Sequence, residues 1–125
     1  MKIGIVGSRD FKNTKLIKQV VASIHKKYPD AIIVSGGARG PDTIAATEAK
    51  RLGMQEPMIF PAEWNVNGVL DKGAGMKRNT TIVENSDMVI AFYLNTNGTK
   101  DTIQKTIKKG KPIFIYFENG TFIKL

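Results

Sequence analysis

The chain has 125 residues, a length typical of one domain and sufficient to bury about two-thirds of its unfolded surface. It contains no cysteine, which excludes disulfides, thiolate metal ligands and a cysteine nucleophile. Its formal net charge of +8 suggests an anionic partner. The alternative is that the lysines form ordinary solvated faces, since they gather on predicted helices or at their ends. The apolar stretch within residues 1–7 is too short for a signal peptide or a membrane span. We therefore expect a single cytoplasmic domain over residues 1–125 that has no membrane partner.

Apolar periodicity predicts strands and helices that alternate along the chain. The predicted strands are residues 2–6, 31–35, 58–60, 88–93 and 112–117. The predicted helices are residues 14–28, 42–52, 76–85 and 99–109. Residues 62–75 are predicted to form a long irregular loop, and Asn119-Gly120 is a hairpin signal before a last strand at residues 121–123.

This alternation predicts an α/β fold with a Rossmann-like open sheet. The sheet is expected to be mostly parallel, with helices on both faces and a short C-terminal hairpin strand. In such sheets, ligands bind beyond the carboxyl ends of the strands. The turns after the first, second and fourth strands and the loop at residues 62–75 all emerge at that edge, which predicts a composite site there.

The turn at residues 35–42, Ser-Gly-Gly-Ala-Arg-Gly-Pro-Asp, connects the second strand to the second helix. Glycines allow close approach of the backbone to a ligand, and the first N–H groups of a helix favour an anion. The alternative is a tight connection without a ligand. Asp42 is interpreted either as the helix N-cap or as a ligand of a ribose hydroxyl. The candidate ligand-binding residues of this turn are Ser35, Gly36, Gly37, Arg39, Gly40 and Asp42.

Two further clusters belong to the same predicted edge. Gly7, Ser8 and Arg9 follow the first strand and offer a backbone turn, a hydroxyl and a guanidinium able to clamp an oxyanion. The alternative for Arg9 is an ion pair within its loop. Trp64 offers a plane on which a base could stack, and the alternative is that it attaches the long loop to the core.

The fourth cluster combines the start of the third predicted helix with the turn after the fourth strand. Arg78 and Asn79 are predicted in the first helical turn, where the helix dipole disfavours a cation, and this mismatch indicates a functional role. The facing turn contributes Asn95, Gly98 and Thr99 as candidate ligand-binding residues.

Metal and cofactor chemistry find little support in the sequence. His25 is the one histidine, and no His/Asp/Glu spacing resembles a metal site. No P-loop is present, and the first strand lacks the third glycine of a dinucleotide fingerprint. No metal and no cofactor are therefore predicted.

Several ordered motifs resemble the SLOG superfamily. This group includes DNA-processing protein A, the LOG-type phosphoribohydrolases and the YspA-like branch, to which the resemblance is strongest. The matching motifs are Gly-Ser-Arg-Asp at 7–10, Gly-Gly-Ala-Arg-Gly-Pro-Asp at 36–42, Phe-Pro-Ala-Glu-Trp at 60–64, Ala-Gly-Met-Lys-Arg-Asn at 74–79, the strand at 87–92 and Gly98-Thr99. The resemblance implies a Rossmann-like domain that binds a nucleotide or nucleotide-sugar ligand. Superfamily members commonly associate, so it also implies a homodimer.

The catalytic motif of the phosphoribohydrolases is only partly matched. Thr102 stands where their catalytic glutamate would be, and Asp101, one residue earlier, would project about 100° away on a helix. The catalytic candidates are Arg78, Asp101 and Glu48, of which Arg78 matches the family.

We therefore expect binding of a nucleotide, nucleoside phosphate or ADP-ribose-like ligand, by a sensor or a sequestering protein. One alternative is a phosphoribohydrolase-like nucleosidase, which would need a carboxylate to stabilise developing positive charge or to activate water. The second is a DNA-binding protein, which the positive charge favours.

Overall fold

A computed structural model describes residues 1–125. Its elements in chain order are β1 (Lys2–Gly7), α1 (Thr14–Lys27), β2 (Ile32–Ser35), α2 (Pro41–Arg51), β3 (Met58–Ile59), β4 (Asn65–Val66), β5 (Val69–Leu70), α3 (Ala74–Glu84), β6 (Met88–Phe92), α4 (Asn97–Lys108), β7 (Ile113–Tyr116) and β8 (Phe122–Lys124).

Six of the strands form one sheet in the order β3-β2-β1-β6-β7-β8. Every neighbouring pair from β3 to β7 is parallel, and β8 pairs antiparallel with β7. This confirms the predicted α/β fold, including the short C-terminal hairpin strand.

The helices cover the sheet in two pairs, one on each face. On one face, Ile3 and Ile5 of β1 join a core cluster with Ile17 and Val21 of α1 and with α2 residues. On the other face, Val6 of β1 belongs to a second cluster that includes residues of α3 and α4. Successive side chains of a strand point to opposite faces, and a sheet buried on both faces explains why its strands have nearly continuous apolar sequences.

Three helices begin earlier than their sequence patterns predict, and one of them is α4, which begins at Asn97 instead of residue 99. Helix α2 begins at Pro41, whose fixed φ suits the first helical position. Helix α3 begins at Ala74, two residues before the predicted start. Arg78 and Asn79 therefore lie in its second turn, and the argument from an unfavourable helix dipole at these residues was wrong.

The stretch predicted as an irregular loop contains a small hairpin. Strands β4 and β5 pair antiparallel, and Asn67 and Gly68 between them both have positive φ, 53° and 78°, as a type I′ turn requires. The backbone N–H of Asp71 donates to the carbonyl of Trp64 (2.6 Å), and Lys77 of α3 forms an ion pair with Asp71 (2.7 Å). These contacts join the hairpin to the start of α3.

Candidate functional site

An open cleft of about 420 Å³ lies at the carboxyl edge of the sheet. It is bounded by the turn after β1, the glycine-rich turn before α2, the hairpin, the first turns of α3 and the start of α4. These are the segments that the parallel topology was expected to bring together.

A cluster of hydroxyl groups, from buried Ser8 and Thr99 and exposed Thr96, forms one wall of the cleft. The hydroxyls of Ser8 and Thr96 are hydrogen-bonded (2.7 Å), and that of Thr96 also donates to Thr99 (3.1 Å). Ser8 Oγ accepts the backbone N–H of Leu94 (3.1 Å), and Ser8 as a whole is only 2% exposed. The turn after β1 is thereby fixed against the start of α4.

The N-terminus of α4 opens into the cleft beside these hydroxyls. Its N-cap, Thr96, makes no side-chain capping bond, and the N–H of Lys100 donates to the carbonyl of Thr96 (3.0 Å). The N–H groups of the preceding helical residues therefore lack intrahelical acceptors. Gly98 and Thr99 line the cleft, and apart from the adjoining residues and backbone of α4 itself, no atom lies within 4 Å of the position that a Cβ of Gly98 would occupy. With exposed Arg9 nearby, this wall has the donors and the dipole direction that bind an anion.

The glycine-rich turn before α2 differs from the N-terminus of α4, because backbone N–H groups of this turn already donate to side chains of the protein. The N–H of Gly36 donates to Asp42 Oδ2 (3.1 Å), and the N–H of Gly37 donates to Ser35 Oγ (3.2 Å). The sequence predicted that donors of this turn would face a ligand, whereas the Asp42 carboxylate occupies that place. The N-cap of α2 is Gly40, so the interpretation of Asp42 as the cap was wrong.

The Asp42 side chain is a buried acid within this turn. The residue is 4% exposed, and burial raises its pKa from 3.8 to about 6. The positive charge of Arg78 and the backbone N–H groups of Ala38 and Gly36 lower its pKa, but they only partly oppose the effect of burial.

Arg78 crosses the glycine-rich turn. Its Nη1 donates to the carbonyl of Gly36 (3.0 Å), and its Nε donates to Asn79 Oδ1 (3.2 Å). A Cβ at Gly36 would collide with the guanidinium, so this position must be glycine for Arg78 to lie there. Asn79 in turn donates to the carbonyl of Gly98 (3.2 Å) and to Asp101 Oδ2 (3.1 Å), which joins α3 to the start of α4.

Trp64 lies at the edge of the cleft and belongs to neither core cluster. It is 46% exposed, and its ring contacts Gly75 so closely that a Cβ there would lie 3.2 Å from Cη2. Lys72 lines the same cleft. An aromatic plane beside a cation is a suitable surface for a planar, negatively charged ligand.

Comparison with known proteins identifies the family. The model of the YspA, cpYpsA-related SLOG family matches residues 1–66. Gene 61 protein of Mycobacterium phage D29 is 31% identical over 121 residues, which cover 90% of this chain and 93% of that protein. The chain belongs to the YspA, cpYpsA-related SLOG family. This confirms the resemblance drawn from the sequence motifs.

Solved structures share the fold of this SLOG protein. DNA processing protein A from Helicobacter pylori, described for its single-stranded DNA binding mode, aligns with a TM-score of 0.71 and 22% identity over 93% of this chain and 65% of that one. The Streptococcus pneumoniae protein gives 0.76 and 21% over 92% of this chain and 50% of that one. This chain thus spans less than two-thirds of either protein. The molybdenum cofactor binding protein of Rippkaea orientalis gives 0.66 and 26% over 93% of this chain and 76% of that one.

The structure of the SLOG protein separates the predicted ligand-binding residues into two groups. Those that line the cleft are Gly7, Ser8, Arg9, Asp42, Trp64, Arg78, Asn79, Gly98 and Thr99. Those that do not are Ser35, Gly36, Gly37, Arg39, Gly40 and Asn95. Gly40 has φ of +87°, and a Cβ there would lie 2.8 Å from the carbonyl oxygen of Arg9, so it allows two turns to pack together. Arg39 and Asn95 are exposed outside the cleft.

Two of the three catalytic candidates lie outside the cleft. Glu48 is buried and faces α1, and Arg51 donates to both of its carboxylate oxygens (2.6 and 2.8 Å). These hydrogen bonds hold the pKa of Glu48 below its usual range. Asp101 is paired with Lys105 (2.8 Å) and accepts from Asn79. Thr102 does line the cleft, and its hydroxyl donates to the carbonyl of Gly98 (3.3 Å).

Nine of the 18 lining residues were missing from the predicted ligand-binding set, and Thr96 and Lys72 are two of them that bring polar groups to the site. Thr96 completes the hydroxyl cluster, and it lies in the polar turn from which only its neighbours were selected. Lys72 lies between the hairpin and α3, and nothing in its local sequence distinguishes it from other surface lysines. No group of three or more His, Cys, Asp or Glu side chains is arranged to hold a metal ion. None of the helices has the length and apolar character needed to span a membrane.

Proposed function

We propose that this protein binds a nucleotide or nucleotide-derived ligand in the cleft and acts as a sensor or sequestering protein. The observation that carries the proposal is the open N-terminus of α4 beside the hydroxyls of Ser8 and Thr99. A phosphate at this position would accept backbone N–H bonds and favourable dipole interactions. Arg9 would add a charged hydrogen bond from the facing turn.

The opposite side of the cleft suits the base of such a ligand. Trp64 presents a half-exposed ring. The ring packs closely against Gly75, which has no side chain to displace it. Stacking of a base on this indole would place the ring and the phosphate on separate walls. The molybdenum cofactor binding protein from Rippkaea orientalis, with the same fold, binds a small molecule, which supports ligand binding as the role of this fold here.

Binding without hydrolysis is the better supported form of this function. The carboxylates lining the cleft are Asp10 and Asp42, and Asp42 already accepts the Gly36 N–H. Thr102 lines the cleft where the sequence resemblance would place the phosphoribohydrolase glutamate, and it has no carboxylate to stabilise an oxocarbenium ion. Release of free base from a nucleoside monophosphate would overturn this view.

Calorimetry with AMP, GMP and ADP-ribose tests the proposal, using two arginine variants. Arg9 lines the cleft and Arg39 does not, although both are exposed and near the same edge. Arg9→Met should weaken binding about tenfold through loss of a charged hydrogen bond, while Arg39→Met should change it less than about twofold. The absence of binding to every ligand at millimolar concentration by folded protein would contradict the proposal.

Single-stranded DNA is a second candidate, because an exposed Trp64 lies near Arg9 and Lys72 on a chain of net charge +8. Aromatic platforms flanked by cations bind single strands by stacking and phosphate contacts. Fluorescence anisotropy with a labelled oligothymidine should then show affinity that falls steeply with salt and decreases in Trp64→Ala. No binding at low salt would exclude this candidate.

A further inference from the structure

A second cavity, of about 400 Å³, adjoins the cleft at Arg78. Its apolar lining comes from the end of β3 and from the hairpin, including Ile59, Phe60 and Val66. Polar groups line it as well, namely Glu63 and the Asp71–Lys77 ion pair. Apolar surface with a few polar side chains is the usual composition of a small-molecule site, and the volume lies near the lower end of the common range of about 300–1,000 Å³.

Arg78 is the one residue that lines both cavities. Its hydrogen bonds to Gly36 and Asn79 use Nη1 and Nε, and Nη2 makes no hydrogen bond within the protein. The guanidinium is thus held in place between two cavities with donors to spare. Bidentate donors of this kind are well matched to phosphate oxygens.

We propose that the ligand has two ends joined by a diphosphate, which runs from the open N-terminus of α4 to Arg78, two sites of one cleft that Asn79 connects by hydrogen bonds. One nucleoside would then lie in the cleft beside Trp64, and a second ring or sugar in the Ile59–Phe60–Val66 cavity. This inference rests on the proposed function and specifies the ligand class. The apolar lining would contact the faces of the second ring, and Glu63 would accept a hydrogen bond from its N–H or hydroxyl group. A mononucleotide would leave the second cavity unfilled.

The experiment compares AMP with diadenosine diphosphate by calorimetry. Wild-type protein should bind diadenosine diphosphate at least about tenfold more tightly, because the second nucleoside binds at high effective concentration. Thr81 lines the second cavity but not the cleft, so Thr81→Phe should reduce this preference to about twofold or less and leave AMP affinity unchanged. Thr80, the next residue on the helix, lines neither cavity, and Thr80→Phe should retain the full preference.

A second variant covers the case in which Thr81→Phe fails to fold. Val66 is 46% exposed on the hairpin and lines only the second cavity, so Val66→Trp should fold and should likewise remove the preference. Equal affinities of wild-type protein for the two ligands would overturn the inference while leaving nucleotide binding intact. An unchanged preference in Val66→Trp would also overturn it. Failure of folded wild-type protein to bind either ligand would instead contradict the proposed function.

Discussion

The N-termini of α2 and α4 have similar sequence patterns, but the structure around them differs. Each follows a strand of the parallel sheet through a polar turn, and the second helical residue is Asp42 in α2 and Gly98 in α4. In α2 the Asp42 carboxylate accepts the Gly36 N–H, while in α4 the space around Gly98 is open. A glycine-rich turn before a helix therefore does not reveal whether its anion comes from the protein or from a ligand. The side chain near the helix start decides this.

The largest effect that tests this difference between α2 and α4 is expected from replacing the Asp42 carboxylate, the protein's own anion at the start of α2. The folded-state pKa of Asp42, about 6, lies above its ordinary value of 3.8, so the folded protein binds more protons between these pH values. The free energy of unfolding should therefore fall as pH rises through this window, by about 3 kcal/mol relative to Asp42→Asn, whose amide oxygen still accepts from Gly36. Urea unfolding from pH 4 to pH 8 measures the difference, and parallel curves for the two proteins would contradict it.

Glu48 provides a control of opposite sign for this experiment. Hydrogen bonds from Arg51 lower its pKa, so its stabilising contribution is present above the ordinary pKa and is lost as pH falls through the folded-state value. Glu48→Gln should therefore approach wild-type stability on acidification. Asp42→Asn should be more stable than wild type at high pH, and the difference should disappear on acidification, when wild-type Asp42 becomes protonated.

The second prediction transfers the α2 arrangement to α4. Gly98→Asp would place a carboxylate at the open helix start, where it should repel ligand phosphate and weaken nucleotide binding about thirtyfold. Stability should not decrease, because an acid in the first helical turn is favourable. Gly98→Ala is the matched control, since the site has room for a methyl group, and calorimetry should show affinity within about twofold of wild type. Equal binding by Gly98→Asp and Gly98→Ala would place the phosphate elsewhere.

The smallest effect is expected from loosening the hydroxyl cluster of the α4 wall. Ser8→Ala leaves the Leu94 N–H without its acceptor and should cost about 1 kcal/mol of stability together with a few-fold loss of affinity. Ser23→Ala removes an exposed hydroxyl on α1 that donates to the Gln19 carbonyl, and it should change neither quantity measurably. Thermal unfolding and calorimetry of the two variants make the comparison, and identical behaviour would show that the cluster has no organising role.

The fold could be predicted because its apolar pattern and turn residues agree with each other. The inner parallel strands β1, β2 and β6 are buried on both faces and have apolar sequences. Gly53 and Gly110 follow the ends of α2 and α4 with positive φ. The small hairpin escaped prediction although Asn67-Gly68 is the same turn signal as Asn119-Gly120. All four residues of its two-residue strands are exposed, so no buried alternation accompanies the turn.

The location of the candidate site could be predicted from the sequence, but the contacts within it could not. Strand order alone brings Ser8, Trp64, Arg78 and Thr99 to one edge. Local sequence could not show that Arg78 donates to the Gly36 carbonyl or that Asn79 donates to the Gly98 carbonyl, because both contacts depend on how α3 packs against distant parts of the chain. The homodimer implied by the family stays a prediction.

The position of Trp64 gives the protein an optical reporter of its own. It is the one tryptophan in the chain, it is half exposed, and it contacts α3 at the mouth of the cleft. A molecule that stacks on this indole would displace water from it, shifting and quenching its emission without competing signal from other tryptophans. Ligand entry could thus be followed by intrinsic fluorescence in unlabelled protein, on the timescale of binding itself.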